Sequence, residues 1–130
     1  MNNTTYPTIA VVDDHQLVRD GICELLSVIG FNVIIKAVNG KDFLRQMARG
    51  AIIPDLCLLD IDMPEMNGVQ TAICVKTIWP GIKILACTFD SNKIPAMLKS
   101  GADACFLKEG DSVTLKKMLL ELYAAKSSVN

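Results

Sequence analysis

The chain has 130 residues, of which 51% are apolar and 21% charged, and its formal net charge is −1 at pH 7. That length suits one domain with a single sizeable core, the balance excludes an intrinsically disordered chain, and the charge leaves no basic stripe for nucleic acid. Asp, Lys or Arg interrupts every apolar run short of a membrane span, and the polar start Met1–Thr5 has no signal-peptide pattern, so a cytoplasmic location is expected. Five cysteines (Cys23, Cys57, Cys74, Cys87 and Cys105) are odd in number and lie among apolar neighbours, with no CxxC or Cys/His cluster. They read as buried free thiols in a reducing compartment.

Residues 1–7 are expected to form a disordered tail. A largely β-branched run, Ile9 to Val12, ends at Asp13-Asp14. From about His15 to Ile29, the residues Val18, Ile22, Leu25, Leu26 and Ile29 recur at helical spacing, and Gly30 closes the segment. Phe31 to Ala37 predicts a second strand, Asn39-Gly40 a turn, and Phe43, Leu44 and Met47 a short helix ended by Gly50. The stretch P-D-L-C-L-L-D-I-D-M-P-E-M-N-G, Pro54 to Gly68, drives an apolar run straight into Asp60. Leu56 to Leu59 has no polar alternation, the habit of a strand buried on both faces of a parallel sheet. A third helix follows Asn67-Gly68 to about Ile78 and stops at Trp79-Pro80-Gly81. Ile82 to Cys87 is a fourth strand ending at Thr88; Ile94, Met97 and Leu98 mark a brief helix before Gly101; Ala104 to Leu107 is a fifth strand ending at Lys108. Leu115, Met118, Leu119 and Leu122 give a last amphipathic helix. The domain is thus expected over residues 8–125, with 126–130 a polar tail or the start of a linker.

Five strands alternating with five helices imply an α/β domain, a parallel sheet covered on both faces through right-handed crossovers. Alternation does not set the strand order; the doubly wound, flavodoxin-like order 2-1-3-4-5 is the leading choice. In such a sheet the strand ends at Asp13-Asp14, Asp60, Thr88 and Lys108 open on one edge. Singly, each has an ordinary role as a turn or cap residue, a β-former or a surface charge. Together they make a site. Converging carboxylates repel one another and favour a divalent cation, and all-oxygen ligands suit Mg²⁺. A carboxylate can also form an acyl phosphate, with the cation and the Lys108 ammonium supplying positive charge and the Thr88 hydroxyl a hydrogen bond.

These residues carry a resemblance. V-V-D-D-H-Q-L-V-R-D-G, D-L-C-L-L-D-I-D-M-P-E-M-N-G, I-L-A-C-T-F-D and G-A-D-A-C-F-L-K-E-G, in this order, resemble the receiver domain of two-component response regulators from about Thr8 to Tyr123. The resemblance implies the CheY-like version of the fold, with Asp60 as acceptor of phosphate from a histidine kinase or phosphotransfer protein. It implies that Asp14 ligates Mg²⁺ directly, that Asp13 acts mainly through water, and that the Asp62 backbone carbonyl completes the metal site. Thr88 and Lys108 would read the phosphoryl group. D-D-H-Q-L-V-R-D-G, with Lys-Glu after the fifth strand, looks most like the NarL/FixJ (LuxR-type) subfamily, whose members usually carry a C-terminal DNA-binding domain and regulate transcription. A homodimer on phosphorylation is expected, and only self-directed phosphotransfer and autodephosphorylation rather than enzymatic turnover.

The chain departs from that pattern at two positions. Cys105 stands where the family usually has a Tyr or Phe switch ring, and a thiol cannot reproduce the swing of a ring. Phe89 follows the switch Thr where a small residue is usual; it either crowds the phosphorylation pocket or packs outward. Asp62 and Asp90, two residues beyond Asp60 and Thr88, are expected to alter phosphoryl lifetime. His15 reads as a surface or capping residue, and Cys57, Cys74 and Cys87 as core. Two other readings are weighed. One is a degenerate receiver used as a protein-binding module. The other is a haloacid-dehalogenase-like phosphatase, which Asp60-Ile61-Asp62 imitates although the acidic pair here comes first.

Overall fold

The computed structural model describes residues 6–63 and 67–128. In chain order the elements are β1 Thr8–Val12, α1 Gln16–Val28, β2 Asn32–Ala37, α2 Gly40–Ala48, β3 Leu56–Asp60, α3 Gly68–Ile78, β4 Lys83–Thr88, a 3-10 turn Ser91–Lys93 leading into α4 Ile94–Lys99, β5 Ala104–Leu107 and α5 Ser112–Ser128. All pairings are parallel, in the order β2-β1-β3-β4-β5. That is the flavodoxin-like order expected from the sequence, and it sets β3 between β1 and β4.

The strands alternate their side chains between two cores. Ala10, Val12, Cys57, Leu59, Ile84 and Ala86 pack with Phe43, Met47, Val75 and Met97 beneath α2, α3 and α4. Ile9, Val11, Leu56, Leu58, Leu85 and Cys87 pack with Cys23, Leu26, Leu115 and Leu119 beneath α1 and α5. With both faces covered, strand residues are apolar without alternation, which is why β3 reads LCLLD and is buried throughout. Burying Leu56, Leu58 and Leu59 contributes about 1.5–3 kcal/mol each. Together they outweigh the several kcal/mol that desolvating one terminal carboxylate costs.

The helix starts and stops follow local chemistry. The Asn67 side chain accepts the Gln70 N–H while the Gln70 side chain accepts the Asn67 N–H, a reciprocal cap that launches α3. Gly68 packs so tightly there that a Cβ would lie 2.7 Å from the Ile61 Cα. Gly101 ends α4 with φ +116°, where any side chain would also meet Lys76. At the edge opposite the acids, the Asp55 carboxylate accepts the Thr8 N–H and hydroxyl, each at 3.0 Å. Asp103 there accepts the Ile84 N–H at 2.7 Å and pairs with Lys76 at 2.8 Å.

Three expectations need correction. The polar tail expected from Lys126 is, as far as Ser128, the last stretch of α5, and the Lys126 ammonium reaches Asp55 at 4.0 Å. Pro7, placed in a disordered tail, is buried, and its carbonyl accepts the Asn32 N–H at 2.9 Å. Cys74 is half-buried rather than a core residue, whereas Cys57 and Cys87 are buried. The remainder of the expected tail, Met1–Thr5, lies outside the described residues, as do Pro64–Met66 of the third-strand motif and the last two residues.

Candidate functional site

The strand ends bring Asp13, Asp14 and Asp60 together. One carboxylate oxygen from each lies within 4.8 Å of the others. Asp13 and Asp60 are 2% and 4% exposed, while Asp14 faces solvent. Asp13 is aimed by its own turn: its N–H donates to the Ala37 carbonyl at 3.1 Å, and its Oδ1 accepts the His15 N–H at 2.8 Å. The His15 side chain makes no cap bond and is exposed, so the start of α1 rests on Asp13 instead. Asp60 Oδ1 accepts the Asp62 N–H at 3.2 Å.

Lys108 completes the cluster. Its N–H donates to the Thr88 carbonyl at 2.8 Å, continuing the β4–β5 ladder past the end of β5. Its ammonium lies 3.0 Å from Asp60 Oδ1 and 3.8 Å from Asp13 Oδ2. Burial raises the Asp60 carboxyl above its usual range; the Lys108 hydrogen bond and charge offset part of this, and Asp13 adds to it. Burial by itself would depress Lys108, but its hydrogen bond to Asp60 and the fields of Asp60 and Asp13 leave it raised. A single ammonium faces three carboxylates, so the site is short of positive charge. Its donors are all oxygen and one acid is solvent-facing, a set that fits Mg²⁺ with retained waters.

Thr88 is fully buried, and its hydroxyl oxygen accepts the Asp90 N–H at 2.9 Å, with the Asp90 carbonyl 3.5 Å away. Phe89 is 68% exposed and its ring centroid stands 5.4 Å from the Lys108 ammonium. The ring therefore faces solvent while sitting against Lys108. The Asp90 carboxylate caps the following turn, accepting the Asn92 N–H at 2.9 Å. The Asp62 carboxylate is exposed and paired with Lys93. Cys105 packs at the margin of the core beneath α2–α4, while the neighbouring ring, Phe106, points into the opposite core beneath α1 and α5. β5 thus offers no aromatic ring on the α4 side.

Two site-adjacent side chains escaped the sequence reading. Arg19 donates from Nη1 to the Asp13 carbonyl at 2.7 Å, and Lys93 pairs with Asp62. Arg19 lies inside the first motif, six residues beyond Asp13, a spacing that carries a helical side chain back over the turn that precedes its helix. Lys93 sits in a turn whose geometry no sequence pattern announces.

The response regulator receiver domain family matches residues 9–120 of this chain. The chain belongs to that family. Among curated relatives, the nitrate/nitrite response regulator NarL of Escherichia coli K12 is 32% identical over 129 residues, covering 97% of this chain and 59% of that protein. The receiver spans about half the length of the curated relatives it matches. A receiver domain of a NarL response regulator from Mycobacterium tuberculosis superposes with a TM-score of 0.83 at 27% identity, covering 93% of this chain and 98% of that one. The TrrA response regulator of Thermotoga maritima, solved with Mg²⁺ and beryllofluoride, superposes with a TM-score of 0.80 at 28% identity, covering 89% and 98%. The relatives are of the NarL, DegU and VraR type, as the first motif suggested. This family assignment sets aside the dehalogenase-like reading, since Asp60-Ile61-Asp62 begins at the last residue of the third strand and the acidic pair follows the first. No helix among the described residues is long and apolar enough to cross a membrane.

Proposed function

We propose that this receiver is a phosphorylation-controlled switch in which Asp60 accepts a phosphoryl group from a phosphohistidine on a kinase or phosphotransfer protein. The observation that carries the reading is the convergence of Asp13, Asp14 and Asp60 within 4.8 Å with the Lys108 ammonium 3.0 Å from Asp60. An Asp60 carboxylate oxygen forms the new bond to phosphorus. The phosphorus–nitrogen bond breaks, and its electron pair stays on the imidazole, leaving an acyl phosphate. Asp13, Asp14 and Asp60, with the Asp62 carbonyl, would hold Mg²⁺, which supplies the positive charge that the acids and an incoming phosphoryl group lack. The relative solved with Mg²⁺ and beryllofluoride supports this assignment.

Lys108 then exchanges part of its Asp60 contact for a phosphoryl oxygen. The Thr88 hydroxyl gives up its long contact with the Asp90 carbonyl to donate to the same group. Because Thr88 is followed directly by the Asp90 turn and α4, that exchange biases the surface formed by β4, α4, β5 and α5 toward a second state. Water later cleaves the acyl phosphate, so the domain processes only its own phosphate. We assign the output to transcription through a C-terminal DNA-binding domain of a longer cytoplasmic protein, with a homodimer forming on phosphorylation; the name of one relative, a transcriptional regulatory protein, and the greater length of the relatives support the transcriptional part of this reading. A degenerate receiver is disfavoured because Asp13, Asp14, Asp60, Thr88 and Lys108 are all present. Radiolabelled phosphate from a phosphohistidine donor tests the reading. Incorporation is expected in wild type and Asp62→Asn and lost in Asp60→Asn, whereas labelling of Asp60→Asn would contradict it.

A further inference from the structure

Arg19 belongs to the first motif, yet the phosphoryl chemistry gives it no part. Its guanidinium crosses from the first turn of α1 to the Asp13 carbonyl at 2.7 Å. That carbonyl belongs to the peptide joining Asp13 to Asp14. Asp13 is otherwise held by its N–H on the Ala37 carbonyl and by its Oδ1 on the His15 N–H, a turn that spans Asp14 but does not engage the Asp13 carbonyl. Asp14 is exposed. The plane of the Asp13–Asp14 peptide sets the direction in which Asp14 leaves the chain, and the guanidinium holds the carbonyl of that peptide. The geometry points to Arg19 as a positioning residue for the acidic pair, holding the Asp14 carboxylate where it can share a divalent cation with Asp13 and Asp60.

The inference rests on the cation site proposed above, and it makes a prediction opposite in sign to simple electrostatics. A guanidinium at the Asp13 carbonyl brings positive charge close to the acid cluster and repels an incoming cation, so its removal should tighten binding if charge alone mattered. If positioning dominates, removal weakens binding. Deleting groups that orient metal ligands typically costs about 10–100-fold in affinity. Here the guanidinium acts through a main-chain carbonyl near the surface, so a loss of about three- to tenfold is expected, at or below the lower end of that range.

The test is Mg²⁺ titration of the whole domain by calorimetry or amide chemical shifts, with no phosphodonor present. Arg19→Gln keeps most of the side-chain stem but is too short to span to the carbonyl, and is expected to bind Mg²⁺ about three- to tenfold more weakly than wild type. Arg19→Lys, which keeps a donor and the charge, should stay within about twofold. In an Asp14→Asn background, Arg19→Gln should produce little further loss, because its effect passes through Asp14. Unchanged or tighter Mg²⁺ binding by Arg19→Gln, or an equal loss with and without the Asp14 carboxylate, overturns the inference. Should wild type itself bind no Mg²⁺, the cation site falls first. Circular dichroism without metal confirms that each variant compared is folded, and Arg19→Met with its Asp14→Asn double variant carries the same comparison, judged by the same outcomes, if Arg19→Gln is not.

Discussion

At Asp60, burial and a neighbouring acid work against ionisation, and the Lys108 ammonium offsets only part of this. A carboxyl whose folded-state pKa lies above its unfolded value, near 3.9, holds its proton more tightly in the folded chain. The stability it contributes is therefore present below about pH 4 and is lost as pH rises through the raised value. With chelator present, Asp60→Asn should match wild type most nearly at acidic pH and become the more stable of the two as pH rises toward neutral. Urea unfolding of both proteins across that window checks it, and parallel curves would remove the argument. Phe89 calls for a kinetic test. Its ring stands against Lys108 while mostly facing solvent, a position from which it would narrow the approach to that ammonium. Phe89→Ala should speed phosphorylation by small phosphodonors, and hydrolysis of the acyl phosphate, severalfold. Rates equal to wild type in both assays would assign the ring to another role.

Element by element, the sequence was legible wherever one local rule governed. β3 was readable because burial on both faces leaves an apolar run, and its terminal acid stood out against that run. α3 was readable because Asn67 caps it and Gly68 is required beneath Ile61. Gly68→Ala forces a Cβ against backbone and should destabilise the domain by about 1–3 kcal/mol, lowering the thermal midpoint by several degrees. A calorimetric melt within 1 °C of wild type would show that the loop yields freely. What stayed hidden depends on tertiary reach. That Lys126 extends α5 to meet Asp55 could not be read from a polar composition, and Arg19 and Lys93 act across turns. Nor does a sequence show which face of a four-residue strand Cys105 and Phe106 take. With Phe106 on the α1–α5 side, a ring-swing relay from Thr88 to α4 is not available on β5. Cys105→Ala should accordingly leave phosphoryl incorporation and lifetime close to wild type.

Across the whole molecule, the two apolar cores hold a rigid sheet whose one edge collects three acids, a threonine and a lysine from four strands. That edge is short of the positive charge that a divalent cation would supply, both to the acids and to an arriving phosphoryl group. Ligands that bind only the folded state stabilise it by about 2.7 kcal/mol at a hundred times their dissociation constant. Mg²⁺ with beryllofluoride should thus raise the thermal midpoint, and either component alone should do less. The same mixture gives the most direct test of the switch. In amide spectra, Mg²⁺ and beryllofluoride should shift Thr88, Asp90, Lys108 and residues of α4 in wild type and leave Asp60→Asn unchanged. Silence at those amides in wild type, or the same shifts in Asp60→Asn, would contradict a phosphorylation switch centred on Asp60.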